Sequence, residues 1–169
     1  MNVEEAFIKS NEIDRAIEIV EERLKGNLSG ILSCSQIGVP DSYNTILAKD
    51  DKRKVALSAP QNGWITIIES KEVNDYAMLL HMSKELQTEV LAVIQYDIAG
   101  AWGYVEISQG VVLNSYFSED DDDIEDLLAS KLEEKSIFVE PLYMFREVVR
   151  EKEKPWNIVQ IPKKGFPNK

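Results

Sequence analysis

Apolar residues recur at Ile13, Ile17, Val20 and Leu24, and spacings of 4, 3 and 4 align them on one face of an amphipathic helix that Gly26 would stop. Val3, Ala6 and Phe7 extend the same stripe, unless Ser10-Asn11 breaks it and Asn11 caps a second helix. Residues 27 to 54 lack sustained periodicity and read as connection with a short strand near Ile46.

From Lys54 the pattern changes. Val55 to Ala59 and Trp64 to Glu69 flank Pro60-Gln61-Asn62-Gly63, whose Asn-Gly pair tolerates the positive φ of tight turns, so an antiparallel hairpin is expected. Tyr76, Leu79, Leu80, Ser83 and Leu86 share one face of a helix from Asp75 to Gln87, with Asn74 as N-cap and His81 on the opposite face.

Three strands follow, at Val90 to Tyr96, Ala101 to Ser108 and Val111 to Phe117, forming a meander. The unbroken apolar run in the first marks a central strand covered on both faces. A two-residue turn at Gln109-Gly110 pairs Ser108 with Val111; counted outwards, it sets Tyr104 opposite Ser115, Gly103 opposite Tyr116 and Trp102 opposite Phe117. Ile124, Leu127, Leu128 and Leu132 return to helical spacing, and Pro141 opens a further helix running to about Arg150. Trp156 to Ile161 reads as a final edge strand, with a loose tail from Pro162.

This order predicts an α+β fold: an antiparallel sheet of about five strands, made of a hairpin, a helix and a three-stranded meander, packed against N- and C-terminal helices. With 169 residues, no internal repeat and no long linker, residues 1 to 169 read as one domain. It includes an acidic segment, 119 to 134, and a basic, loose tail, 154 to 169.

Charge and cysteine content narrow the function classes. Cys34 is the only cysteine, which excludes an internal disulfide and any zinc site made of several thiolates, and fits a reducing compartment. The N-terminus is acidic where a secretory signal would be basic, and no apolar run reaches the ~18 residues of a membrane span, so a cytoplasmic protein without membrane attachment is expected. The net charge is −11, and residues 119 to 134 hold 9 acids and 1 base. Such a field repels phosphate backbones and attracts basic proteins. The tail interleaves Lys154, Trp156, Lys163, Lys164, Phe166 and Lys169 in a way that superficially suits single-stranded nucleic acid, but the overall charge disfavours that partner.

Catalytic groups are scarce. His81 is the only imidazole, and no nucleophile or carboxylate stands at a diagnostic spacing from it, so a surface histidine is expected. Cys34 lies in no family signature and reads as a small buried hydrophobe, and no Gly-x-Ser-x-Gly elbow occurs. The run Asp120-Asp121-Asp122-Asp123 fails the calcium-loop pattern, because counting from Asp120 or Asp121 puts Glu125 or Asp126 where glycine is needed. No metal or cofactor is expected. Trp64, Trp102, Tyr104, Tyr116 and Phe117 either line a groove or serve as core and cross-strand partners.

The resulting expectation is a non-enzymatic protein-binding module of the immunity or adaptor type. It would recognise a basic protein, with Asp120, Asp121, Asp122 and Asp123 steering the partner and Trp64, Trp102 and Tyr104 contacting it. The alternative is a carboxylate-dependent, metal-assisted hydrolase using Asp97 or the acids of 119 to 126, assisted by His81.

Overall fold

The structure, a computed structural model, describes residues 2–25, 33–37, 52–70, 74–96, 101–118, 124–137 and 156–162. Among these, eight strands form one antiparallel sheet: β1 (Asn2–Lys9), β2 (Ser33–Ile37), β3 (Lys52–Ser58), β4 (Trp64–Glu69), β5 (Glu89–Tyr96), β6 (Ala101–Ser108), β7 (Val111–Ser118) and β8 (Trp156–Pro162). Their order across the sheet is β2-β8-β3-β4-β1-β5-β6-β7. Three helices accompany them, α1 (Ile13–Lys25), α2 (Tyr76–Glu85) and α3 (Ile124–Glu134). The fold is α+β with an antiparallel sheet, but larger than the five strands expected.

The additional strands come from segments whose local pattern suggested something else. Residues 2 to 9 are a strand rather than a helical extension, and β1 pairs with β4 on one side and β5 on the other, joining the hairpin to the meander. Its Ala6 and Ile8 enter a core with Val55, Leu57, Ile65, Ile67, Val90 and Ala92 beneath α1 and α2. Phe7 points the other way, into a second cluster with Trp64, Leu91, Val93 and Tyr104 under Leu128 and Leu132 of α3. Helices therefore cover both faces of the sheet. A strand buried on both faces loses the apolar–polar alternation that would have identified it. Burying Phe7 contributes about 1.5–3 kcal/mol, which outweighs the weak helix preference of Glu4, Glu5 and Ala6.

Pairing with β2 and β3 on either side places β8 inside the sheet, not at its edge, so residues 156 to 162 of the expected loose tail are structured. The short strand expected near Ile46 and the helix expected from Pro141 lie outside the described residues. The break before α1 falls at Ser10, whose Oγ accepts a hydrogen bond from the Glu12 N–H at 3.0 Å. Asp75, not Asn74, caps α2: its Oδ1 accepts from the Met78 N–H at 3.0 Å, whereas the Asn74 N–H donates to Glu4 Oε2 at 2.7 Å.

Both predicted tight turns form, with positive φ at Asn62 and Gly63 and at Gln109 and Gly110. Ser108 pairs with Val111 as expected, but the register then shifts: Ile107 faces Val112 while Glu106 faces Asn114, leaving Leu113 as the extra residue of a β-bulge. Beyond the bulge Tyr104 stands opposite Tyr116, Gly103 opposite Phe117 and Trp102 opposite Ser118, one residue from the uninterrupted register. A Cβ on Gly103 would lie 2.5 Å from the Tyr116 carbonyl oxygen and 3.0 Å from Phe117 Cδ2, so this close approach requires glycine.

Candidate functional site

Strand β7 ends the sheet, with β6 on one side and no described strand on the other. Its residues Val111 to Ser115 are all exposed. Val111 is 60%, Leu113 67% and Phe117 50% exposed, and with Val112 they are the exposed large hydrophobic residues of the described chain. No residue from Val111 to Ser118 is charged, and none is proline. Natural edge strands are usually protected by lysine, proline or inward charge. The bulge at Leu113 is the one such device here, and from Asn114 to Ser118 the pairing with β6 is regular.

Rings support this edge from both faces. Tyr116 stacks on Tyr104 at a centroid separation of 6.1 Å and an interplanar angle of 19°. Phe117 meets Tyr96 edge-on at 6.3 Å on the other face. Lys131 Nζ stands 5.7 Å from the Tyr104 centroid, a cation–π contact from α3. Glu106 receives Lys135 at 3.2 Å and Lys131 at 3.5 Å. Burial pushes the Glu106 carboxyl up, but the hydrogen bond from Lys135 and the charges of Lys135 and Lys131 together outweigh it and hold the pKa below the usual range. The Trp64 Nε1–H donates to the Lys135 carbonyl at 3.1 Å, tying β4 to the end of α3.

A second polar network closes the opposite side of the sheet at the start of α2. Arg53 Nη2 lies 2.8 Å from both Glu69 Oε2 and Asp75 Oδ2, and the Asp75 N–H donates to Glu69 Oε1 at 3.0 Å. Glu4 accepts from the Asn74 N–H and from the Tyr96 hydroxyl. That hydroxyl bond, with burial and the Glu4 charge, raises Tyr96 to about 12. Burial first, then the Glu4 charge, raises Tyr76 to about 12; Asn74 pulls the other way without forming a hydrogen bond of ordinary geometry to the buried Tyr76 hydroxyl. Both phenols are thereby weaker acids than an unperturbed tyrosine. The network fastens α2 to the sheet.

The residues singled out from the sequence are dispersed. Trp64 and Tyr104 are buried in the cluster under α3 and Trp102 is half-buried against it, so Trp64 and Tyr104 are core side chains and offer a partner no surface. His81 is half-buried on α2. Cys34 pairs through its backbone with Val159 in β2–β8. Asp97 and Asp120, Asp121, Asp122 and Asp123 lie outside the described residues. Among the described residues, no three histidine, cysteine, aspartate or glutamate side chains form a group able to hold a metal ion, and no helix is long and apolar enough to cross a membrane.

Of the predicted aromatics, Phe117 stands at the exposed edge; Val111, Val112 and Leu113 were not anticipated. Their signal was an uncharged strand in a strongly acidic chain, but it becomes legible only once β7 is known to be terminal. Comparison with known protein families, curated proteins and solved structures finds no match to this chain.

Proposed function

We propose that this protein is a non-enzymatic binding module whose partner is a basic protein. The observation that supports the reading is the uncharged, apolar edge of β7, open to solvent on a chain of net charge −11. Exposed apolar side chains supply contact area, and surplus negative charge steers a cationic partner towards it while salt weakens the attraction. Trp64 and Tyr104 act behind the surface, holding β4 and β6 against α3 so that the edge is rigid.

The test is association with small basic globular proteins at low and raised ionic strength. Binding that weakens with salt, and weakens further when Val112 and Phe117 are replaced by serine, is expected. Association that is absent, or indifferent to ionic strength, overturns the reading.

A further inference from the structure

Resting on the protein-binding reading above, we propose that the partner is bound by strand addition: an extended, largely apolar segment of a basic protein pairs its backbone with the outer edge of β7 and continues the sheet.

Backbone geometry comes first. As the last strand of the order, β7 satisfies its hydrogen-bonding groups on the β6 side and turns the rest outward. Irregularity is confined to Leu113, and Asn114, Ser115, Tyr116, Phe117 and Ser118 keep consecutive pairing with β6, which leaves a regular template five residues long. Main-chain bonds along such a template give affinity, and the alternating side chains give selectivity. An added strand would meet Ser115 and Phe117 on one face of the sheet and Asn114 and Tyr116 on the other. Phe117, resting against Tyr96 on one side and half exposed, offers the apolar contact.

Charge selects the occupant. A second copy of this chain would bring another −11 to a strand that carries no cation of its own between Val111 and Ser118. The net charge of −11 favours a cationic segment over a neutral or anionic one, and the residue joined to Ser118, where the template ends, is an acid. The complementary ligand is therefore an apolar strand flanked by basic residues.

The probe is a capped peptide of three lysines followed by alternating valine and threonine, compared with a twin whose central amides are N-methylated. Amide hydrogen exchange of residues 111 to 118 in the full chain reads the pairing. The lysine peptide is expected to slow exchange along Asn114 to Ser118, and the twin to leave it unchanged. The Leu113→Ser/Phe117→Ser variant, altered only at exposed positions, should bind the peptide about tenfold more weakly.

Equal binding of the twin means attraction by charge alone and overturns strand addition while the protein-binding reading stands. Failure of the peptide to protect β7 at millimolar concentration, when basic proteins still bind with salt dependence, likewise removes strand addition only. Failure of both removes both. Protection that grows with protein concentration in the absence of peptide would assign the edge to a second copy and overturn the basic partner.

Discussion

Arg53 of β3 grips the carboxylate of Glu69 on the neighbouring strand β4 with two nitrogens, Nε at 3.2 Å and Nη2 at 2.8 Å from the same oxygen. Both side chains are shielded, at 13% and 2% exposure, and Asp75 at the cap of α2 shares the guanidinium. The pair joins the sheet to a helix terminus, and its energetics follow from burial.

Replacing Arg53 by methionine should destabilise the protein by about 3–5 kcal/mol at neutral pH, because it leaves Glu69 charged, buried and without its cation. Burial, outweighing the Arg53 charge, already raises the Glu69 pKa above its usual 4.5. The folded state therefore takes up this proton before the unfolded chain does. The Glu69 contribution to stability is fully present below pH about 4.5 and declines as pH rises through the folded value. Urea unfolding of Arg53→Met at pH 5 and pH 7 should show a smaller deficit at the lower pH; an equal deficit would remove Glu69 ionisation as the cause.

Glu106 behaves in the opposite sense. Its pKa is lowered by Lys135 and Lys131 against the effect of burial, so its contribution is present above the unfolded value of 4.5 and is lost as pH falls through the folded value. Glu106→Gln should cost about 1–2 kcal/mol at pH 7 and less at pH 3. Thermal melts across that range measure it, with the C-terminal turn of α3 around Lys131 loosening first in hydrogen exchange.

Ultraviolet titration should resolve two tyrosines, Tyr76 and Tyr96, that ionise at about 12. Their stabilising contribution is complete below pH about 10 and is lost as pH rises towards 12. Glu4→Gln should move Tyr96 back towards 10, since the Glu4 carboxylate is the first cause of its shift, and Tyr76 less, since burial dominates there. No movement of Tyr96 would mean that the hydroxyl bond is not its main determinant.

Gly103→Ala should destabilise by about 1–3 kcal/mol, because the new methyl group collides with backbone at Tyr116 and cannot be relieved by a rotamer change. The strain falls on the β6–β7 pairing, so exchange along β7 should quicken more than along β5. A uniform loss of protection would point to a global effect.

Local pattern was enough wherever neighbouring residues settle the conformation. The Asn62-Gly63 and Gln109-Gly110 turns, the amphipathic faces of α1 and α3 and the three meander strands depend on φ preferences and on periodicities of 3.6 and 2, which act over a few residues. What the chain's linear order left open was the role of β1, the interior place of β8 and the bulge at Leu113. Each is settled by partners far along the chain: Phe7 is a strand residue because β4, β5 and α3 enclose it, and Val3, Ala6 and Phe7 alone fit a helical stripe as well. The exposed edge was hidden for the same reason. Val111, Val112 and Leu113 look like any buried strand, and only the strand order, fixed by long-range burial on both faces, leaves them at the rim.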